Sequence, residues 1–508
     1  MSQLSLYKRL KLVKNHIFSR LLDKNLAQIH FFTIFAAKSF YGTMKIIGRK
    51  TETNELERLR DSGRSEFVMV YGRRRVGKTF LIREFFHNEF AFQVTGIARG
   101  TRQEQLFNFD AALVRFGLEG FKPHGNWFDA FGALITLLEH NQSKRKVVFF
   151  DELPWMDTAK SDFVKALEWF WNSWASARED ILLIVCGSAA SWLVKKIVRN
   201  HGGLHNRLTF RIKINPFTLS EVQEFLINRG ILWEEDMIAE CYMALGGIPY
   251  YLDLLSPALS LAQNMDVLFF SESPLLETEF QDLYASLFKS SEDHVKIVKA
   301  LSTKRQGLTR NQLLEATGLS NGGRVSGRLD ELEQCGFIRT YRSLGEATEI
   351  YQLTDFYTLF YFTFIHNKQF YDVDTWMHLM ETPTYNTWCG LSFERLCLAH
   401  LPQIKRSLGI EGVSTKAMGF TSSKAQIDLV IIRGDKVVNL CEAKYMQRPF
   451  ALTEASAASI RNKMEVLRDS IKKRALIQPV MITANGLKPN KHSINLIHRQ
   501  VTLHDLFQ

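Results

Sequence analysis

Between residues 67 and 254, short apolar runs rich in β-branched and aromatic residues alternate with stretches whose apolar residues recur at helical spacing. Strands that alternate with helices pair most readily as a parallel sheet, so this pattern predicts an α/β domain with crossover helices. The predicted strands cover residues 67–71, 90–95, 146–150, 181–186 and 208–214. An aromatic stripe at helical spacing in residues 163–174 is typical of core packing.

The rest of the chain predicts further segments. Residues 217–290 are expected to be helical, with a break at Gly246-Gly247-Ile248-Pro249. A capping box of Thr309 and Gln312, followed by strands at 337–341 and 350–353, predicts a winged helix-turn-helix. We expect a basic N-terminal extension (1–43), the sheet domain (44–216), a helical lid (217–290), a winged helix with an aromatic linker (291–370) and a C-terminal α/β domain (371–508).

The net charge of +11 is unevenly distributed over the 508 residues. Residues 1–43 carry +6 and residues 391–508 carry +9, so the middle of the chain is slightly acidic. A local excess of this size near the C-terminus favours a DNA or RNA partner. The six cysteines form no CxxC pair, and no apolar run reaches about 18 residues. We therefore expect a soluble cytoplasmic protein with reduced thiols and no membrane contact.

Residues 72–79, Gly-Arg-Arg-Arg-Val-Gly-Lys-Thr, fit the phosphate-binding pattern GxxxxGK[ST] between a predicted strand and a predicted helix. Gly72 and Gly77 allow backbone N–H groups to close around phosphates at the helix N-terminus. Lys78 is expected to reach the β- and γ-phosphates, and Thr79 to ligate Mg²⁺. The expected cofactors are therefore ATP and Mg²⁺.

Polar residues follow two of the other predicted strands. Asp151 is expected to hold Mg²⁺ through its water shell, and Glu152 to polarise the attacking water, which favours hydrolysis over mere binding. Ser188 is placed where it could sense the γ-phosphate. Arg207 is a candidate charge-stabilising finger, acting in cis or from a neighbouring subunit of a homo-oligomer, although an isolated arginine after a glycine pair is more often a surface residue.

These residues together resemble the archaeal-type P-loop ATPases of the AAA+/STAND branch. The resemblance covers residues 44–508 and is carried by the following segments: 46–49, 72–79, 151–155, 187–188, 216–217 and 246–250. It implies that Gly48 and Pro249 flank the adenine. It also implies a winged helix and a C-terminal domain that the family carries without an assigned function.

Residues 426–432 and 437–444 form a predicted hairpin whose turn is centred on Asp435. This register places Asp428 opposite Glu442 and puts Lys444 on the face of Glu442, because side chains alternate with period 2. Like charges directly opposite each other destabilise a hairpin unless a positive charge lies between them. The pattern therefore favours a divalent metal.

The hairpin resembles the PD-(D/E)xK, restriction-endonuclease-like fold in Asp428, Glu442 and Lys444, although no proline precedes Asp428. The resemblance implies that Asp428 and Glu442 bind Mg²⁺, that Glu394 adds an acidic ligand and that Lys463 is a polar helper. Lys444 would orient the attacking water or stabilise charge on the phosphodiester. A solvent-facing hairpin whose charges only solubilise it is the alternative.

The third helix of the predicted winged helix carries two arginines against three acidic residues. A helix that enters a DNA groove is usually cationic, so a packing adaptor between the two ends is favoured over a DNA reader. The combined hypothesis is an ATP-driven switch that controls a metal-dependent nuclease. The rival is a regulatory ATPase whose nuclease-like domain only binds nucleic acid.

Overall fold

The computed structural model describes residues 46–508 except 121, 189, 199–205, 289, 343, 345–347, 367–374, 423 and 472–474. The chain divides into two compact units, residues 1–46 and 47–508, and all helices and strands of the described residues belong to the second unit. The predicted N-terminal extension lies outside the described residues. Across the described part of the chain, no helix has both the length and the apolar character needed to cross a membrane.

The first sheet is fully parallel, with strand order β2-β3-β4-β1-β5. Its strands are β1 (Glu66–Gly72), β2 (Phe92–Thr95), β3 (Lys146–Asp151), β4 (Ile181–Gly187) and β5 (Phe210–Ile214). Its helices are α1 (Lys50–Arg60), α2 (Lys78–Phe85), α3 (Arg102–Arg115), α4 (Trp127–His140), α5 (Phe163–Ser173) and α6 (Ala190–Leu193), with a π-helical turn at Val194–Val198 and 3₁₀ turns at Leu153–Trp155 and Ala175–Ala177. All five predicted strands are confirmed, with ends that shift by one or two residues.

Burial explains why this sheet forms and where its loops meet. Every residue of β3 and β4 is buried, as expected for central parallel strands covered by helices on both faces. The aromatic stripe of α5 packs into the same core. Tyr71 pairs with Gly187, and Phe150 pairs with Val185, so the carboxyl ends of β1, β3 and β4 lie at one edge. The phosphate-binding pattern, Asp151, Glu152 and Ser188 all follow these ends.

Helices follow the sheet, as predicted. They are α7 (Leu219–Asn228), α8 (Glu235–Leu245), α9 (Pro249–Leu252), α10 (Leu261–Met265) and α11 (Glu279–Leu287), with a π-helical turn at Asp266–Phe270. The predicted break is confirmed, because Gly246 ends α8 with a φ of 74° and Pro249 begins α9.

Residues 292–353, here called the middle module, contain three helices and a small antiparallel sheet of order β6-β8-β7. The elements are α12 (Glu292–Ser302), β6 (Leu308–Thr309), α13 (Arg310–Thr317), α14 (Gly323–Gln334), β7 (Ile338–Arg342) and β8 (Glu349–Leu353). The predicted capping box of Thr309 and Gln312 is confirmed, whereas β6, only two residues long, was not predicted. On α14, Arg324 pairs with Asp293 at 3.0 Å, so part of its positive charge is neutralised within the module.

The aromatic linker forms α15 (Phe356–Phe360) and a π-helical turn at Tyr361–Ile365. All five residues of α15 are buried, so this aromatic segment packs inside the protein. Phe360, for example, lies 4.8 Å from Phe269 and 5.4 Å from Trp376 between ring centroids.

Residues 375–508, here called the C-terminal module, contain a mixed five-stranded sheet of order β15-β13-β11-β10-β9 and a separate pair, β12-β14. The elements are α16 (Thr375–Met380), α17 (Pro383–Ala399), α18 (Leu401–Ser407), β9 (Thr415–Thr421), β10 (Gln426–Arg433), β11 (Val437–Lys444), β12 (Phe450–Ala451), α19 (Glu454–Ser470), β13 (Leu476–Thr483), β14 (Leu487–Lys488), β15 (Arg499–Thr502) and a 3₁₀ turn at His504–Phe507. Leu429 pairs with Cys441 and Val430 with Leu440, which confirms the predicted hairpin register.

Candidate functional site

The loop between β1 and α2 is shaped by close backbone packing. A Cβ at Gly72 would lie 2.2 Å from the carbonyl oxygen of Ile214 in β5, so only glycine fits. Gly77 caps α2 with a φ of 87°, a conformation that residues with a side chain rarely adopt. The loop therefore ends with the free N–H groups at the N-terminus of α2, a suitable place for phosphate.

Lys78 points back across this loop and is almost fully buried. Its Nζ donates to the carbonyl oxygens of Gly72 at 3.1 Å and Arg73 at 2.9 Å, and to Ser188 Oγ at 3.1 Å. The predicted phosphate-binding ammonium thus lies at the centre of the loop and beside the carboxyl end of β4.

Thr79 and Asp151 meet at the same edge of the sheet. Thr79 Oγ1 donates to the carboxylate of Asp151 at 3.0 and 3.1 Å. Burial raises the pKa of Asp151, and the neighbouring charge of Glu152 raises it further. Added positive charge would stabilise this buried carboxylate. The carboxylate of Asp151 and the hydroxyl of Thr79 are both hard oxygen donors, so this pair fits Mg²⁺.

Glu152 is held by Ser188. Ser188 Oγ donates to Glu152 Oε1 at 2.7 Å, and the Ser188 backbone N–H donates to Oε2 at 3.3 Å. Glu152 itself has a φ of 47°, so the chain turns sharply after β3 and directs this carboxylate toward β4. The hydroxyl of Ser188 therefore joins the Lys78 ammonium to the Glu152 carboxylate.

The remaining predicted residues around this loop lie in different surroundings. Gly48 has a φ of 62°, and a Cβ there would lie 2.5 Å from Glu221 Oε1. The next residue, Arg49, donates from Nη2 to the Val76 carbonyl at 3.0 Å. This bond ties the segment to residues 72–79, here called the phosphate loop. Pro249 is the first residue of α9, and Arg207 is exposed shortly before β5.

Two arginines of the phosphate loop make ion pairs that the sequence did not predict. The guanidinium of Arg73 donates to both oxygens of Asp355, with Nη2 to Oδ2 at 3.1 Å, and both side chains are buried. Arg75 pairs with the buried carboxylate of Glu279. The sequence signal for these pairs was the three arginines in the variable positions of the motif, because an arginine that becomes buried requires a carboxylate partner.

The Arg75 pair extends into the helical segment. Its guanidinium carbon lies 4.1 Å from the ring centroid of Tyr250, and the hydroxyl of Tyr251 donates to Glu279 Oε1 at 2.5 Å. Burial raises the pKa of Glu279, and Arg75 partly offsets this shift. The conformation of the phosphate loop is thus linked to α9, α11 and the start of α15.

The second candidate site lies in the C-terminal module. Asp428, Glu442 and Lys444 line one cavity of about 280 Å³, together with Lys463 and Arg305. The two acidic side chains of the hairpin therefore converge on one space, as the register predicted. Both are buried, with exposed fractions of 7% and 4%.

Cations of the chain itself contact these carboxylates. Arg305 Nε donates to Glu394 Oε2 at 2.7 Å, and Arg305 Nη2 donates to Asp428 Oδ1 at 2.6 Å. Lys463 Nζ donates to Glu442 Oε1. Within the described ranges, no group of three or more His, Cys, Asp or Glu side chains is arranged to hold a metal ion. Arg305 therefore lies between the predicted ligands Glu394 and Asp428, and Lys463 contacts the third predicted ligand, Glu442.

The electrostatics of this cavity still favour added positive charge. Burial, followed by the charge of Asp428, raises the pKa of Glu394 to about 7. The same two causes raise the pKa of Glu442, and Lys463 partly offsets them. All three side chains supply oxygen, the donor that Mg²⁺ prefers, so the donor chemistry fits this ion.

Comparison with known proteins matches the part of the chain that carries the first site. Residues 46–255 match the model of a family described as an ATPase domain predominantly from Archaea. This stretch is an ATPase domain of archaeal type, built on a parallel α/β sheet typical of P-loop ATPases.

Three similar proteins extend beyond this domain. An uncharacterized protein of Methanocaldococcus jannaschii is 23% identical over 405 residues, covering 78% of this chain and 87% of that protein. The structure of a Walker-type ATPase of Pyrococcus abyssi is 16% identical, with a TM-score of 0.47, over 63% of this chain and 96% of that one. The ORC2 protein of Aeropyrum pernix, in ADPNP and ADP complexes, is 16% identical, with a TM-score of 0.42, over 64% and 94%. At such low identity, the roles of individual residues rest on this chain's own geometry.

Proposed function

We propose that this chain is an ATP-hydrolysing switch coupled to a Mg²⁺-dependent nuclease module that acts on DNA or RNA. The observation that carries the ATPase half is the contact of Lys78, Ser188 and Glu152 at the edge where Thr79 also meets Asp151. A nucleotide binder needs only the loop and its lysine. A carboxylate positioned beside the phosphate position provides a base for hydrolysis.

The chain's own residues divide the work of hydrolysis. Lys78 and the N–H groups of the loop bind the β- and γ-phosphates, and Thr79 and Asp151 hold Mg²⁺, which supplies positive charge to the phosphate oxygens. Glu152 accepts the proton of the water that attacks the γ-phosphorus, as ADP leaves. Ser188 orients the Glu152 carboxylate.

Gly48 and Pro249 flank the adenine, and Arg207, exposed on the surface, is the candidate finger toward a second subunit.

Lys78→Ala tests nucleotide binding. Because the ammonium makes charge-assisted contacts with phosphate, we expect ATP affinity to fall about 10- to 100-fold when measured by calorimetry. Lys144→Ala is the matched control, since Lys144 is an exposed lysine outside the loop. Equal affinity in both variants would contradict the assignment of the phosphate site.

The nuclease half rests on the cavity that Asp428, Glu442 and Lys444 share. Asp428, Glu442 and Glu394 would hold Mg²⁺ once the cationic side chains that contact them withdraw, and the ion would supply charge stabilisation at the phosphodiester. Lys444 orients the attacking water or stabilises the charge that develops on the phosphate. The excess of +9 in residues 391–508 supplies affinity for the nucleic-acid backbone.

The proposed division of the chain follows from these roles. Residues 44–216 are the ATPase core, 217–290 the lid, 291–370 the winged helix with its linker and 371–508 a restriction-endonuclease-like domain, preceded by the extension 1–43. The winged helix is an adaptor, since Arg324 and Arg328 of α14 pair with acidic residues of the same module. Six free, buried cysteines support a cytoplasmic location.

Asp428→Asn tests cleavage. Removing this carboxylate charge is expected to reduce Mg²⁺- or Mn²⁺-dependent cleavage of DNA or RNA at least about 100-fold. Asp435→Asn is the control, because Asp435 lies in the exposed turn of the same hairpin and pairs with Arg433. Cleavage that survives Asp428→Asn would place the activity at another site or in a contaminant.

A nuclease-like module that only binds nucleic acid is the second candidate. The contacts of Arg305 and Lys463 with the carboxylates favour it, because these cations satisfy the acidic side chains without a metal. Nucleic-acid binding without metal-dependent cleavage in the wild-type protein would select this candidate.

A further inference from the structure

Arg305 reaches from one module into the cavity of another. It lies in the middle module, between α12 and β6, and its half-buried side chain ends between Glu394 of α17 and Asp428 of β10. The contacts join residues separated by 89 and 123 positions along the chain. The guanidinium is therefore an intermodular occupant of the acidic site.

The backbone that carries Arg305 is fixed to the small sheet of the middle module. Gln352 of β8 donates from Nε2 to the Arg305 carbonyl at 2.7 Å, and Gln352 Oε1 accepts from Arg339 of β7 at 2.7 Å. The hydroxyl of Tyr341 donates to the next carbonyl, that of Gln306, at 2.8 Å. The position of the guanidinium thus depends on the position of β7 and β8.

A guanidinium and a divalent cation need the same oxygen atoms. Arg305 lies 2.6 Å from Asp428 Oδ1 and 2.7 Å from Glu394 Oε2. Mg²⁺ requires carboxylate oxygens at about 2.0–2.1 Å in near-octahedral geometry. The guanidinium and a divalent cation bound to the same carboxylates also repel each other strongly in a half-buried site. Occupancy by the guanidinium therefore opposes occupancy by the metal.

We infer that Arg305 is an internal competitor that holds the acidic cavity closed to divalent cations until the middle module withdraws it. This inference rests on the metal site of the proposed nuclease. It makes the middle module a regulator of metal loading. Lys463, which contacts Glu442, lies on α19 of the C-terminal module itself, so withdrawal of the middle module does not carry it away.

Binding of Mn²⁺ to the full-length, nucleotide-free protein tests the inference by calorimetry, without any measurement of cleavage. Asp428→Asn defines the part of the binding that belongs to this cavity. Arg305→Ala is expected to raise the Asp428-dependent affinity at least about tenfold. Arg305→Gln, which keeps a polar side chain but lacks the charge, is expected to do the same if the alanine variant does not fold. Arg310→Ala is the control, since Arg310 bonds to Asn321 at 3.1 Å in the middle module and does not line the cavity.

The outcomes separate the inference from its premise. Asp428-dependent binding that is equal in wild type and both Arg305 variants overturns the competition and leaves the metal site in place. Weaker binding in the variants also overturns it, because Arg305 would then help to position the ligands. If no variant shows Asp428-dependent binding, the proposed metal site is wrong and the inference falls with it.

Discussion

Glu152→Gln is expected to reduce ATP hydrolysis by about 10²- to 10⁴-fold while ATP still binds. Glutamine keeps the size of the side chain and can still accept the hydrogen bond from Ser188 Oγ, which is 2.7 Å long in the wild type. It cannot take a proton from water. The measurement is the rate of phosphate release under saturating ATP, with ATP affinity determined separately by calorimetry.

Glu179→Gln is the matched control, because Glu179 is an exposed glutamate just before β4. Its hydrolysis rate should equal that of the wild type. A Glu152→Gln protein that hydrolyses ATP at the wild-type rate would contradict the assignment of the base. If ATP no longer binds, Glu152 serves the structure of the loop and not the chemistry.

Asp355→Asn is expected to lower the free energy of unfolding by about 3–5 kcal/mol, since it leaves the buried guanidinium of Arg73 without a counter-charge. The substitution also weakens the acceptor for the Thr358 hydroxyl, which lies 2.6 Å from Asp355 Oδ2. Denaturant unfolding of the full chain measures the change.

Glu349→Gln is the control for this prediction. Glu349 also lies near the end of the middle module, but its pair with Arg342, at 2.9 Å, is exposed, so we expect a loss below about 1 kcal/mol. Removing both partners in Arg73→Met with Asp355→Leu should restore much of the stability, because no uncompensated charge remains. A single Asp355→Asn variant as stable as Glu349→Gln would show that the buried pair contributes little.

The parts of the fold that the sequence predicted are those set by local patterns. Five strands, the loop at residues 72–79 and the break at Gly246 depend on neighbouring residues, and all are confirmed. The register of β10 and β11 was also predictable, because a short turn fixes which residues of a hairpin face each other. The convergence of Asp428 and Glu442 on one cavity follows from that register.

The parts that the sequence did not predict depend on contacts between distant residues. Arg73 and Asp355 are 282 positions apart, and no periodicity or motif relates them. Arg305 stands in an unremarkable polar turn, so its position among acidic residues depends on how the middle and C-terminal modules pack. Strand β6 was missed because two residues are too few for an alternating pattern.

The end of β8 has a mechanical consequence for the whole chain. Over four residues, Gln352 holds the Arg305 carbonyl, the Leu353 carbonyl accepts from Arg395 at 2.9 Å, and Asp355 holds Arg73 of the phosphate loop. An extended chain rises about 3.3 Å per residue, so these attachments share a tether of about 10 Å with little slack. Any displacement of Asp355 would therefore pull on the anchor of Arg305.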